Sequence, residues 1–251
     1  MPGVEERVTL VTGAGRGIGR ATAELLASRG ARVMAVARSE NELKSLGLDY
    51  VAADLGTLDG CVLAVKETRN RLGPVSILVC NHGIGSAHER VIWEQAPDVW
   101  QETLRINLDG PYYLSQIVVK DMIEQGYGRC VFTSSTAGEK AEYAGSAYTS
   151  SKHGLLGLMR SIARDAGPHG VTSNAVLPGW VRTSMAEKSA GAEALQRGIT
   201  PDEVWKERAA LYPAGRVATP EEVAQVIAFL ASEESSGVSG EAITVALGGL
   251  V

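Results

Sequence analysis

Short apolar runs alternate with stretches whose apolar residues recur at helical spacing, from residue 8 to residue 245. Val8–Thr12 is a β-branched run that ends in glycines, and Gly19–Ser28 after it has the spacing of a helix with one apolar face. Arg32–Ala37, Tyr50–Ala53, Ile77–Cys80, Cys130–Thr133, Thr172–Val176 and Ala242–Val245 read as further strands. Leu58–Leu72 reads as a helix stopped by Gly73-Pro74, and Trp100–Gln125 as a helix interrupted near Gly110-Pro111. Ser146–Ala166 is a long helix closed by Gly167-Pro168, and Pro220–Leu230 is a capped one. The strands are apolar on both faces, as in a parallel sheet covered by helices on each side. With right-handed crossovers this predicts an α/β, doubly wound sheet (Rossmann fold) of about seven strands, in a single domain spanning 1–251. Ser184–Pro213 breaks the rhythm and reads as a substrate lid, because loops of that length tend to be functional. The plainer alternative is a surface insertion with a short helix of its own.

The chemistry gathers where strands hand over to helices. Thr12-Gly13-Ala14-Gly15-Arg16-Gly17-Ile18-Gly19 joins the first strand to the first helix. Glycines there let the backbone turn tightly and approach a pyrophosphate, and the helix N-terminus offers free N–H groups to it. The second strand ends at Ala37-Arg38-Ser39, where an acid would accept the ribose hydroxyls of NAD. Arg38, with Arg16 in the glycine turn, instead favours the extra phosphate of NADP(H), with NAD(H) as the alternative. Tyr148 and Lys152 stand four apart at the start of a helix and share a face. An ammonium beside a phenol lowers the phenol pKa, so the pair predicts an acid/base at Tyr148. Ser134-Ser135 follow the fifth strand at the carboxyl edge, where a hydroxyl can meet a substrate oxygen.

TGAGRGIG, Asp54-Leu55, Cys80-Asn81-His82-Gly83, Asn107, Ser135, Tyr-Thr-Ser-Ser-Lys at 148–152 and Pro178-Gly179 together resemble the short-chain dehydrogenase/reductase family, and a ketoreductase-like member of it. The similarity keeps motif order and spacing over essentially the whole chain. It implies that Tyr148 is the proton donor or acceptor and that Lys152 binds the nicotinamide ribose and tunes Tyr148. By the same resemblance Ser135 orients the carbonyl oxygen and Asn107 holds a water in the proton relay. Gly13, Gly15, Arg16, Gly17, Ile18 and Gly19 would hold the pyrophosphate, with Asp54 and Leu55 at the adenine. Asn81, His82 and Gly83 would line the ribose region, and Pro178, Gly179, Val181 and Thr183 the carboxamide. The chain departs from the family in having Cys80 and His82 where Asn and Ala are usual. His82 is expected to touch cofactor or water rather than act as a base. His153 reads as structural, and His88 and His169 carry no motif. Val245-Ala246-Leu247-Gly248-Gly249 replaces the usual Val-Asp-Gly-Gly near the C-terminus, a segment of subunit contact.

Composition narrows the classes further. The chain has 251 residues, 45% hydrophobic and 21% charged, enough for a core without a disulfide or metal staple. Its net charge of −5 argues against nucleic acid or an anionic membrane as partner. No apolar run is long enough to span a bilayer, and the N-terminal residues lack the pattern of a secretion signal. Cys61, Cys80 and Cys130 are far apart and read as buried free thiols in a reducing cytoplasm. The expectation is an NADP(H)-dependent enzyme that interconverts a ketone and a secondary alcohol without a metal, as a homotetramer. Parts of the chain also resemble 3-oxoacyl-thioester and polyketide ketoreductases. Rival readings are an NAD-dependent alcohol dehydrogenase, a non-catalytic NADP(H) sensor and a cofactor-free dehalogenase-like relative. The intact glycine turn and the Asn-Ser-Tyr-Lys set oppose the last two. Trp180, Met185, Leu195, Ile199, Trp205, Leu211 and Tyr212 predict an apolar lid wall and an apolar substrate.

Overall fold

Seven parallel strands form one sheet: β1 (Val8–Thr12), β2 (Arg32–Ala37), β3 (Asp49–Ala52), β4 (Ile77–Cys80), β5 (Gly128–Thr133), β6 (Val171–Pro178) and β7 (Ala242–Val245). The computed structural model describes residues 3–86 and 89–249, so His88 lies outside the described residues. Strand order is β3-β2-β1-β4-β5-β6-β7. The chain therefore winds outward one way from β1 and the other way from β4, which opens a crevice at their carboxyl ends. Every residue of β1, β4, β5 and β6 is buried, because helices cover both faces.

The helices follow the apolar periodicity. On one face α3 (Leu58–Arg71), α5 (Gly110–Gln125) and α6 (Ser146–Ala166) pack Leu114, Met122, Leu155 and Met159 against Leu10, Leu78 and Phe132. On the other, α1 (Gly17–Ser28) and α9 (Pro220–Leu230) pack Ala23, Leu26, Val223 and Ile227 against Val11, Val79 and Val131. A short α2 (Glu40–Lys44), not anticipated from the sequence, follows β2. The predicted helix over 100–125 is in fact α4 (Pro97–Leu104), a π-helical turn over Arg105–Asp109, and then α5. Gly110 at that junction has no room for a side chain: a Cβ would run into the Leu55 carbonyl oxygen and lie 2.8 Å from Nε2 of His82.

The 184–213 segment is neither a loop nor a single short helix. It forms α7 (Ser184–Arg197) and α8 (Pro201–Ala210), joined through a small core of Ala190, Ala194, Val204 and Trp205. Cys61, Cys80 and Cys130 are free and buried. Among the described residues no helix is long and apolar enough to cross a membrane.

Candidate active site

The glycine turn lies at the carboxyl end of β1, on the floor of the crevice. Gly13 and Gly17 adopt φ of +64° and +56°, which suits residues without a Cβ. A Cβ on Gly19 would collide with the Gly13 carbonyl oxygen, and one on Gly15 would meet the Glu42 carboxylate at 2.7 Å. Ile18 packs into the core beneath. No side chain caps the N-terminus of α1 at Arg16, whereas Thr183, Thr200 and Thr219 cap α7, α8 and α9. The first turn of α1 thus keeps its N–H groups for an anion. Thr183 leans over this turn, its methyl 3.1 Å from where a Gly17 Cβ would stand.

The two arginines beside the glycine turn and the end of β2 differ. Arg16 is paired with Glu42 at 3.3 Å. Arg38 is exposed and, among the described residues, makes no hydrogen bond or ion pair. Asp54 accepts from the Gly56 N–H and pairs with Arg105 at 3.2 Å. Burial pushes its carboxyl up, but those two partners outweigh it and hold it below the usual range. Leu55 beside it is buried.

The Thr12 hydroxyl organises the end of β4. It accepts from the N–H groups of Asn81 and His82, and it bonds His82 Nδ1 at 2.8 Å. Burial, helped by the Lys152 charge, holds the His82 imidazole neutral with a pKa of about 3. A general base works best with a pKa near the operating pH, so His82 is poorly suited to that role. Gly83 passes close to Asn107 and Lys152, where a Cβ would be 3.1 Å from Asn107 Oδ1.

Tyr148 and Lys152 lie in the first turns of α6, across from Ser135 at the end of β5. The Lys152 ammonium donates to the Thr133 carbonyl at 2.9 Å and stands 5.5 Å from the centre of the Tyr148 ring. Ser134 Oγ donates to the Lys152 carbonyl at 3.1 Å, bracing α6 against β5. The phenol does not have the lowered pKa read from the Tyr-Lys spacing. Burial pushes it up to about 12, and the hydrogen bond from Ser135 opposes that only in part. Burial also lowers Lys152 to about 8. Asn107, in the π-helical turn, accepts from the Ile84 N–H at 2.8 Å and donates to the Ile84 carbonyl and to Ser151 Oγ. Its amide ties the strand β4 loop to α6.

The strap after β6 closes the other side. Gly179 N–H donates to the Val245 carbonyl, and a Cβ there would lie 2.5 Å from the Tyr212 hydroxyl, which itself accepts from Trp180 N–H. Pro178 ends β6, and Val181 bridges to Ala218. Of the residues expected to form an apolar lid wall, Trp180, Ile199 and Trp205 pack the α7–α8 core, and Tyr212 is buried under Gly179. Met185 alone among them meets the site side, next to Gly85, while Leu195 and Leu211 face outward. Among the described residues His153 bonds only its own helix, at the Thr149 carbonyl.

The sequence reading missed Glu89, Glu142, Ser151 and Arg105. Glu89 is buried and accepts from the N–H groups of Ala147 and Tyr148. Glu142 accepts from Ser86 Oγ at 3.1 Å, and its charge acts on both Tyr148 and Lys152. One signal was available: α6 starts after Gly145, which has no side chain to cap it, so an acceptor had to come from elsewhere.

A doubly wound sheet with a glycine turn at its switch point and a Ser-Tyr-Lys-Asn cluster at its carboxyl edge defines a nucleotide-binding oxidoreductase class. Comparison with known proteins specifies it. A family model described as Enoyl-(Acyl carrier protein) reductase matches residues 13–249. The chain is 35% identical over 248 residues to the 3-oxoacyl-[acyl-carrier-protein] reductase FabG of Salmonella typhimurium, covering 96% of each chain. It superposes on levodione reductase with a TM-score of 0.93 at 30% identity, over 97% of each chain. It also superposes on a variant of actinorhodin polyketide ketoreductase solved with NADPH, with a TM-score of 0.90 at 32% identity over 97% of each. The chain belongs to the short-chain dehydrogenase/reductase family and is a ketoreductase-like oxidoreductase within it.

Proposed function

We propose that the chain is an NADP(H)-dependent reductase that interconverts a ketone and a secondary alcohol, with Tyr148 as the acid/base. The observation that carries this reading is the convergence of Ser135, Tyr148 and Lys152 at the carboxyl ends of the strands, beside an uncapped α1 and a glycine turn. That turn fits a pyrophosphate, and the unpaired Arg38 fits a 2′-phosphate. When bound, the dinucleotide supplies or accepts the hydride. Ser135 and Tyr148 hydrogen-bond the carbonyl oxygen, and the phenol hydroxyl gives its proton to that oxygen as the alcohol forms. Lys152 steadies the phenol electrostatically, and its ammonium would hold a ribose hydroxyl of the bound dinucleotide. Asn107, which ties Ile84 to Ser151 beside the pair, would hold a water in the proton relay. The α7–α8 pair acts as the lid.

Glu142, close to the phenol, supports a neutral substrate, since a carboxylate beside the reacting carbonyl would be repelled there. Within that class, relatives named as 3-oxoacyl-[acyl-carrier-protein] reductases favour a 3-oxoacyl thioester as the second reading. The test is to follow NADPH absorbance with a panel of alkyl and aryl ketones, a 3-oxoacyl thioester and small keto acids. Wild type should turn over neutral ketones or the thioester ahead of keto acids. Tyr148→Phe should lose turnover by about a hundredfold or more while binding NADPH normally. Near-normal rates in that variant would remove Tyr148 from its role.

A further inference from the structure

Helix α6 carries the catalytic pair, yet nothing in its own sequence caps it. Gly145 offers no side chain, and no cap hydrogen bond comes from it. The missing acceptor arrives from the segment after β4. Glu89 Oε1 accepts from Tyr148 N–H at 2.7 Å, and Glu89 Oε2 accepts from Ala147 N–H at 2.8 Å. The residue is 4% exposed, so both oxygens are held in a dry setting where bonds to an anion are strong. The partial positive charge at the helix N-terminus favours the same anion.

We propose that Glu89 is a positioning residue: its carboxylate clamps the backbone of Tyr148 and so sets where the phenol stands relative to Ser135. The clamp reaches the very residue whose side chain moves the proton, from a segment 59 residues away in the chain. Two further ties join the same segment to the start of α6. Ser86 Oγ bonds Glu142, and Ile84 bonds Asn107, which bonds Ser151 Oγ. The loop that flanks the carbonyl site and the helix that carries the acid are therefore held as one unit, and Glu89 is the buried one of the three loop residues that make these ties. Misplacing an acid by about 1 Å can cost up to a hundredfold in rate. The carboxylate also acts on the phenol through space. The groups facing the phenol are Lys152 on α6, Glu142 before it, Ser135 after β5 and Glu89 itself; of these, Glu142 and Glu89 oppose its ionisation.

The inference rests on Tyr148 being the acid/base, and the experiment separates the two. Glu89→Gln keeps the shape but replaces one acceptor oxygen with an amide donor facing a backbone N–H. Glu89→Asp keeps the charge but shortens the reach. Each variant is assayed with NADPH and the best neutral ketone of the panel, and in reverse with the corresponding alcohol across pH. Glu89→Gln should lower kcat about tenfold or more with NADPH affinity within about twofold of wild type. Alcohol oxidation needs the ionised phenol and rises with pH; removing a nearby negative charge lowers the phenol pKa. The rising limb in Glu89→Gln should therefore shift to lower pH, and in Glu89→Asp it should stay in place while kcat falls. A Gln variant with wild-type kcat and an unmoved limb, or one merely less stable to heat, overturns the proposal. If the Gln variant does not fold, an Asp variant with wild-type kcat overturns it equally. Should Tyr148→Phe remain active, the acid/base reading itself fails; should that variant be dead while both Glu89 variants match wild type, the positioning role alone fails.

Discussion

For the proposed function, cofactor choice turns on Arg38. It projects from the end of β2 without a partner among the described residues, while Arg16 is already paired with Glu42 and Glu40 with Lys44. Glu42 and Glu40 thus have cations of their own, which leaves Arg38 available to the 2′-phosphate of the proposed cofactor. A charge-assisted bond contributes on the order of 1.5–3 kcal/mol, and exposure draws this toward the lower figure. Wild type is expected to prefer NADPH over NADH by about tenfold in kcat/KM. Ala37→Asp/Arg38→Leu should reverse that order, and an unchanged ratio would mean that Arg38 does not face the ribose. At this scale the chain alone picked out Tyr148, Lys152, Ser135 and Asn107, which the fold gathers around the carboxyl end of β5 and the start of α6. The direction of the Tyr148 shift was not, because i,i+4 spacing reports which groups are neighbours and says nothing of how much water each has lost.

Among the elements, the β1–α1 turn has little freedom to vary. Gly19 lies inside α1, where a Cβ would strike the Gly13 carbonyl oxygen and crowd Asn81 Nδ2. Gly19→Ala should open the turn and weaken NADPH binding at least about tenfold, measured by fluorescence titration, while far-ultraviolet circular dichroism stays close to wild type. Unaltered affinity would show that the turn does not form the phosphate cradle. Periodicity located strands within a residue or two but mistook two features. The break near Gly110-Pro111 was visible; that it takes the form of a π-helical turn carrying Asn107 was not, since it depends on α5 resting against the Leu55 carbonyl and His82. The two helices α7 and α8 were not separately predicted, because α7 buries only alanines and Leu195 and Leu211 are left outside.

The whole molecule presents apolar groups on one flank that its own core does not use. Leu58, Val62 and Leu63 on α3 and Tyr112 and Ile123 on α5 are exposed, and β7 is an edge strand. Exposed apolar clusters of this kind mark association surfaces, and an edge strand invites a partner. We expect a homotetramer. Sedimentation equilibrium at micromolar concentration should give about four times the chain mass of 26.4 kDa; a monomeric mass would refute it.

The order of apolar runs and glycine turns along the chain was enough to specify a doubly wound sheet, its glycine turn and its Tyr-Lys pair. These are local patterns: strand period, helix period, and residues within a few positions of one another. What required the folded chain were relations between distant segments. Glu89 reaching the N–H of Tyr148, Asn107 joining Ile84 to Ser151, and Trp205 turning into the α7–α8 core all depend on which surfaces meet. The sheet order brings the ends of β1, β4 and β5 together, and only at that meeting are charges buried, caps supplied and pKa values displaced.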